Sequence, residues 1–156
     1  MTKSLRPTHV FAACLLSAAA VQAFAQAPGS PRFEAFNDST VRDNHTQLIW
    51  AAKDNGGDID WASAHGHCQA MGAGWELPNT DELLALQSAD EAKGQDCIGK
   101  LTCRITPLIE LTGLTPWSSE ANGPDQAWYV YLGDGRKYAY TSASTKGKRA
   151  LCVRQT

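Results

Sequence analysis

After its first 25 residues the sequence has no apolar run long enough to cross a membrane, so we expect no membrane anchor in the rest of the chain. It also lacks an excess of positive charge. Its 14 Lys and Arg stand against 16 Asp and Glu, which argues against a nucleic-acid-binding protein. Neither a glycine-flanked serine nor a paired-histidine metalloprotease motif is present. We therefore expect no enzyme, no metal ion and no cofactor.

The one long apolar run lies at the N-terminus and has the pattern of an export signal. Lys3 and Arg6 give a positive start, and the run extends from about Val10 to Ala20. Ala23-Phe24-Ala25 then provides the small residues of a cleavage site. We expect residues 1–25 to be a signal peptide that is removed on export, which places the mature protein in the periplasm or outside the cell.

Five cysteines are present, and Cys14 lies within the export signal. The four that remain are an even number in an exported chain, which indicates two disulfide bonds, although four cysteines allow three pairings. Five residues separate Cys97 from Cys103, so these two pair most simply with each other, and Cys68 would then join Cys152. None of the four shows the two-residue spacing of common zinc knuckles, which disfavours a zinc site.

The order of predicted elements is typical of an α+β protein. A loose linker is expected over residues 26–35 and a single domain over residues 36–156. The first predicted elements are strands 40–42 and 48–51 joined by a turn, a helix from Asp58 or Asp60, a helix starting at the capping box of Asn79 and Glu82, and a helical turn at Thr106. Four strands follow, at 117–120, 127–132, 138–142 and 150–154.

Spacing along these elements predicts which side chains face the core. The first helix places Trp61, Ala64, Cys68 and Met71 on one apolar face. Along strand 127–132, two residues face one way and Tyr129 and Tyr131 face the other. Tyr138 and Tyr140 likewise share a face in the next strand.

Several short motifs occur in an order and spacing that resembles one bacterial family. These motifs are Val41-Arg42-Asp43, Leu48-Ile49-Trp50, Trp61 with Cys68, Trp75-Glu76-Leu77-Pro78-Asn79 with Glu82-Leu83, Pro116-Trp117-Ser118-Ser119, Ala127-Trp128-Tyr129-Val130 with Gly133-Asp134-Gly135, and Leu151-Cys152-Val153-Arg154. Together they resemble the C-terminal domain of the Legionella collagen-like adhesin and its relatives, over about residues 36–154.

The resemblance implies a C-type-lectin-like fold, in which two helices pack on a twisted antiparallel sheet. It also implies a bond between the first helix and the last strand, in agreement with Cys68 joining Cys152. Two features depart from the family pattern. Glu76 stands where a basic residue usually precedes Leu-Pro, and the insert that contains Cys97 and Cys103 is not a family hallmark.

The chain lacks the acidic triplets with which sugar-binding C-type lectins hold calcium. Leu77-Pro78-Asn79 and Gly123-Pro124-Asp125 replace them, and an ion that needs six to eight oxygens loses essential ligands. Asp54, Asp58 and Asp60 form a denser oxygen cluster, and a weak calcium site is one of two interpretations of it. Asp residues also make turns and helix caps, which is the interpretation we favour.

A basic C-terminal region contains the candidate ligand-binding residues. They are Arg136, Lys137, Tyr138, Tyr140, Lys146, Lys148 and Arg149. Lysines and arginines attract anionic groups, and tyrosine rings add flat contact surfaces. A solvated basic surface with packed tyrosines is the alternative for the same residues.

The sequence predicts an exported, non-catalytic binding module. The expected partner is an envelope or host polymer, with an anionic glycan among the candidates, or a protein. Fold alone does not fix function, so this expectation rests on the resemblance. The alternative is a periplasmic inhibitor or immunity protein of an envelope-acting enzyme.

Overall fold

The computed structural model describes residues 31–87, 95–99 and 101–156, so the expected signal peptide lies outside the described part of the chain. The two helices are α1 (Trp61–Ala70) and α2 (Thr80–Ala85). The strands are β1 (Phe33–Ala35), β2 (Thr40–Asp43), β3 (Leu48–Ala51), β4 (Gln95–Ile98), β5 (Leu101–Cys103), β6 (Trp117–Ala121), β7 (Gln126–Tyr131), β8 (Arg136–Thr141) and β9 (Val153–Gln155).

The predicted N-terminal hairpin is confirmed, and it forms the centre of a four-stranded antiparallel sheet with the order β1-β2-β3-β9. Val41 pairs with Trp50, and Trp50 pairs in turn with Val153, so these three side chains share the buried face. β1 lies within the segment 26–35 that was expected to be a linker. Because β1 pairs with β2, the ordered fold begins before residue 36.

The remaining strands form two further antiparallel sheets, β6-β7-β8 and the hairpin β4-β5. The fold is therefore α+β as predicted, but the described strands are divided among three sheets rather than joined in one. The helical turn expected at Thr106 is a non-helical turn. The last strand begins at Val153 rather than residue 150, because the residues before it bond to loops and to other strands.

Both helices start at the residues that the sequence predicts. The Asp60 side chain accepts a hydrogen bond from the backbone N–H of Ser63 and caps α1. Asn79 and Glu82 form the reciprocal capping box at the start of α2. One part of the predicted apolar face of α1 is wrong: Met71 is 43% exposed, because it follows the last helical turn as the C-cap residue.

The two helices pack into different hydrophobic clusters. Leu83 of α2 and its C-cap residue Leu86 join Trp50 in a cluster that spans the four-stranded sheet and β7. Ala64 and Cys68 of α1 join a second cluster, around Trp117. The expected arrangement of both helices in one layer on one sheet is therefore not observed.

The C-terminal segment, residues 148–153, lies between these two clusters. The Ala51 N–H donates to the Cys152 carbonyl and the Trp117 N–H donates to the Arg149 carbonyl, each at 2.9 Å. The segment thus bonds to β3 and to β6, one in each of the larger sheets. All four residues from Ala150 to Val153 are buried, since both clusters close over them.

Two disulfide bonds are present, with the pairing that the sequence favoured. Cys68–Cys152 joins α1 to the C-terminal segment across 84 residues of sequence. Cys97–Cys103 closes the β4-β5 hairpin across only 6 residues. The cysteine insert therefore has its own cross-link.

A buried ion pair fixes the start of the domain. The Asp43 carboxylate accepts two hydrogen bonds from the Arg32 guanidinium, and one of them measures 2.8 Å. Arg32 also donates to backbone carbonyls at the end of α2, including that of Gln87 at 3.3 Å. Burial by itself raises the pKa of the Asp43 carboxyl, but the bonds from Arg32 and from the His45 N–H outweigh it, so the pKa lies below its ordinary value.

The two disulfides are predicted to differ in their effect on stability. On the chain-entropy model, replacing Cys68 and Cys152 by Ser costs about 4 kcal/mol, because a long loop is freed, whereas replacing Cys97 and Cys103 costs about 2 kcal/mol. Denaturant unfolding of the two double variants measures this difference.

Alkylation of the exported protein without reductant, read by mass spectrometry, is expected to label no cysteine, and labelling of Cys68 or Cys152 contradicts the assignment.

Removing the Asp43 charge is predicted to lower stability in a pH-dependent way. Because the folded-state pKa is depressed, the contribution of the carboxylate is complete above its unfolded pKa of about 4 and is lost as pH falls through the folded value. Asp43→Asn is expected to lower the free energy of unfolding by roughly 2 kcal/mol at neutral pH, and by less at pH below about 3. Urea unfolding at both pH values tests this, with the exposed Glu34→Gln as control. If the difference in unfolding free energy between the wild type and Asp43→Asn is the same at both pH values, the prediction is wrong.

Candidate functional site

Three tyrosines form one face of the β6-β7-β8 sheet. The strand register places Tyr129 directly opposite Tyr138 and Ala127 opposite Tyr140, so the three rings lie on the same side. The predicted common face of Tyr138 and Tyr140 is thus observed, and the register adds Tyr129 to it. The rings of Tyr129 and Tyr138 stack with centroids 5.7 Å apart. Tyr138 is 38% exposed and Tyr140 is 43% exposed. We call Tyr129, Tyr138 and Tyr140 the tyrosine face.

Lys148 lies behind this face rather than on the surface. Its ammonium nitrogen is 4.0 Å from the ring centroid of Tyr129, 4.6 Å from that of Tyr140 and 5.6 Å from that of Trp117. Only 6% of the residue is exposed. Burial lowers the pKa of Lys148, and the charge of Asp58 opposes this shift. The aromatic rings stabilise the buried cation through their negative faces.

A turn between β7 and β8 fixes the side chain of Tyr138. The Tyr138 hydroxyl donates to one oxygen of Asp134 at 2.6 Å, while the other oxygen accepts the backbone N–H of Arg136 at 3.0 Å. The hydrogen bond to Asp134 raises the pKa of the Tyr138 hydroxyl. The ring is therefore held by its stacking on Tyr129 and by this bond together.

Arg149 is part of the internal framework and not a free surface charge. Its guanidinium donates to the hydroxyl and the carbonyl of Thr112, at 2.7 and 3.0 Å, and also pairs with Asp58. A Cβ on Gly113 would lie 2.7 Å from the Arg149 side chain, so only glycine admits this approach. Arg149 thus joins the loop before β6 to the loop before α1.

The remaining candidate residues are distributed over two faces. Arg136 shares the side of β8 that carries Tyr138 and Tyr140, and it is exposed. Lys137 points to the opposite side, where its ammonium lies 5.3 Å from the Trp128 ring centroid. Lys146 is exposed in the loop that follows β8. The structure therefore brings Tyr138, Tyr140, Lys148 and Arg136 together and separates Lys137 and Arg149 from them.

The sequence analysis missed Trp117 and Asp134 as parts of this region. Trp117 pairs with Tyr129 across the sheet, and its indole N–H donates to the Ile59 carbonyl at 2.9 Å. A Gly-Asp-Gly turn before a strand with two tyrosines is the signal that points to Asp134. No sequence pattern places residue 117 beside residue 148.

The carboxylates of the acidic cluster at residues 54–60 already accept hydrogen bonds from other groups of the protein. The Asp54 carboxylate accepts the backbone N–H groups of Gly56 and Thr112, at 2.9 and 2.6 Å. Asp58 accepts the Gly147 N–H and pairs with Arg149, and these two bonds lower its pKa. Asp60 caps α1. Among the described residues, no group of three or more His, Cys, Asp or Glu is arranged to hold a metal ion.

These features define a small, disulfide-bonded α+β domain with an exposed aromatic face. The sequence model of the Lcl C-terminal domain family matches residues 39–154, which is more than half of the 156-residue chain. The chain belongs to the Lcl C-terminal domain family. Its membership favours an adhesin-like binding module over an enzyme. No curated protein matches the sequence, and none of the helices in the described residues is long and apolar enough to cross a membrane.

Calcium is predicted not to affect stability. The carboxylates of Asp54, Asp58 and Asp60 already accept hydrogen bonds, so an ion would have to displace these donors without gaining a full set of ligands. The melting temperature is expected to be the same in chelator and in millimolar calcium, with magnesium as the control for ionic strength. A rise of several degrees that calcium alone produces would point to a site at residues 54–60.

Proposed function

We propose that this chain is an exported, non-catalytic binding module with a C-type-lectin-like fold, and that its ligand is an anionic glycan bound at the tyrosine face. The observation that carries the proposal is a pair of half-exposed rings on one face, of which Tyr138 is held by Tyr129 and Asp134 and Tyr140 lies against the buried cation of Lys148. Rings that are already immobilised lose little conformational entropy when a ligand stacks on them. Such rings suit the flat faces of sugar residues.

Charge around the rings supports an acidic ligand. Arg136 is exposed on the side of β8 that carries Tyr138 and Tyr140, and Lys148 adds a positive charge against the rings of Tyr129 and Tyr140. Lys146 is exposed in the loop that follows β8. The positive charge of Lys148 offsets the negative potential of the ring faces that it contacts. The tyrosine face is therefore less attractive to cations and more compatible with sulfate or carboxylate groups.

Two disulfides are consistent with an oxidising compartment, the periplasm or the exterior of the cell. Family membership supports an adhesin-like role there. The ligand is then a polymer of the cell envelope or of a host surface. An inhibitor of an envelope-acting enzyme is the second candidate, and it needs a protein partner instead of a glycan.

Binding to heparin is predicted to weaken steeply with salt and to depend on two exposed residues. Arg136→Gln with Lys146→Gln removes one exposed charge on the tyrosine side of β8 and another in the loop that follows β8, and the affinity at low salt is expected to fall about tenfold. Screening of these contacts makes the effect smaller as ionic strength rises. Titration calorimetry measures the affinity at low salt, and the salt concentration of elution from heparin resin measures the dependence on ionic strength.

The matched control is Lys53→Gln with Arg104→Gln, which removes two exposed charges from other parts of the chain. This control is expected to bind almost as well as the wild type. Equal losses of heparin affinity in both double variants would mean that binding depends only on the net charge of the protein. No retention of the wild-type protein at low salt would reject the glycan and leave the inhibitor hypothesis.

A further inference from the structure

A second row of side chains crosses the outer face of the four-stranded sheet. The register aligns Arg42 with Ile49 and Ile49 with Arg154, so these three residues lie side by side on the face opposite Trp50. The bridge between residues 76 and 153 continues the row, because it places Trp75 beside Arg154. We call Arg42, Ile49, Arg154 and Trp75 the outer row.

Neither arginine of the outer row is neutralised within the described part of the chain. The ion pairs there involve Arg32, Lys53 and Arg149 but not Arg42 or Arg154. Glu34 lies beside Arg42 in the register and forms no ion pair with it. The Nε atoms of Arg42 and Arg154 are both buried and have no hydrogen-bond partner. Unpaired polar groups of this kind cost free energy, and because these atoms are buried, a ligand from solution bonds only the terminal N–H groups of each guanidinium.

Both guanidinium groups are nevertheless held in place. Arg154 lies over the Trp75 ring, with its central carbon 5.4 Å from the ring centroid. Arg42 donates to the Gln47 side chain at 2.7 Å, and the amide of Gln47 is itself oriented by a 2.7 Å bond to the Asn44 carbonyl. Planar guanidinium groups that are already oriented bind oxyanions with little further loss of entropy.

The space beside the row is large enough for a ligand. A groove of about 370 Å³ lies next to Trp75 and Arg154. Its other lining residues are Gln69, Ala73, Gly74, Glu76 and Gln155, so one acidic residue also borders the groove. Since neighbouring strands are about 4.8 Å apart, the backbones of Arg42 and Arg154 are separated by about 10 Å, with the apolar Ile49 between them. Two oxyanion groups on one ligand can contact both arginines across this distance.

We propose that the outer row is an anion-binding site for a ligand that carries two or more sulfate or phosphate groups. This site is independent of the tyrosine face, which belongs to a different sheet. Each arginine offers paired N–H groups that match the geometry of a tetrahedral oxyanion. Trp75 fixes one arginine and serves as an internal reporter, and Ile49 contacts the uncharged part of the ligand.

The test is titration calorimetry of the full exported chain at low salt with two probes. Sucrose octasulfate represents a sulfated sugar, and inositol hexakisphosphate represents a phosphate-rich ligand. Arg42→Gln with Arg154→Gln keeps polar side chains of similar shape and is expected to lose about tenfold in affinity for the preferred probe. Arg42→Lys with Arg154→Lys keeps the charges but not the paired donors, and it is expected to recover only part of the loss.

Comparison with the other variants separates this site from the proposed function. If Arg136→Gln with Lys146→Gln retains its affinity for the probe while the outer-row variant loses it, the outer row is the site. If only Arg136→Gln with Lys146→Gln loses affinity, the outer-row proposal is overturned and the tyrosine face is supported. A loss no greater than that of Lys53→Gln with Arg104→Gln also overturns it, as does the absence of binding by the wild type.

Trp75 provides a readout that a merely structural role would not change. The probe is expected to alter the tryptophan fluorescence of the wild type, and Trp75→Phe is expected to remove this response while the chain stays folded. Near-UV circular dichroism and the melting temperature establish that each variant is folded. A fluorescence change that persists in Trp75→Phe contradicts binding at the outer row.

Discussion

The C-terminal segment, residues 148–153, is the constraint on which both larger sheets depend. It is bonded to β3 through Cys152 and to β6 through Arg149, and it is covered on both sides by the hydrophobic clusters. The disulfide with Cys68 fastens α1 to the same segment. A strand alone would be held by one sheet, whereas this segment is held by two sheets and a helix. The relative position of the four-stranded and three-stranded sheets follows from these few bonds.

The same segment explains why neighbouring basic residues have such different environments. Lys148 enters the aromatic region behind the tyrosine face, while Arg149 turns to the opposite side and bonds to Asp58 and Thr112. An extended backbone sends successive side chains in opposite directions, so adjacency in sequence separates them in space. The charge of Lys148 is stabilised by aromatic rings, and the charge of Arg149 is stabilised by oxygen atoms. The charge density of the sequence therefore overstates the basic surface of the domain.

Local patterns predicted much of the fold, and long-range contacts account for what they missed. The hairpin of β2 and β3, the N-cap of α1, the capping box of α2 and the tyrosine alternation all depend on residues a few positions apart, which the sequence displays directly. The division into three sheets depends on where strands far apart in the chain meet, and no spacing reports that. The outer row is a similar case, since Arg42, Ile49 and Arg154 come together only when β2, β3 and β9 pair. Burial of Lys148 was missed because its aromatic partners lie on other strands.

The register of the four-stranded sheet also determines how the domain would respond to tension. The register aligns Phe33, Asp43, Leu48 and Gln155 across the sheet. The first residue of β1 and the last residue of β9 therefore lie at the same end of the sheet, on its two outer strands, with their backbones about 14 Å apart. A force applied between these ends peels the outer strands one hydrogen bond at a time instead of shearing many together. Peeling of β9 ends after its three residues, because Cys152 precedes the strand and is covalently tied to Cys68. The N-terminal strand β1 has no covalent tie among the described residues and is held by its pairing with β2 and by the Arg32–Asp43 ion pair. Unfolding under tension would therefore continue further from the N-terminal end than from the C-terminal end.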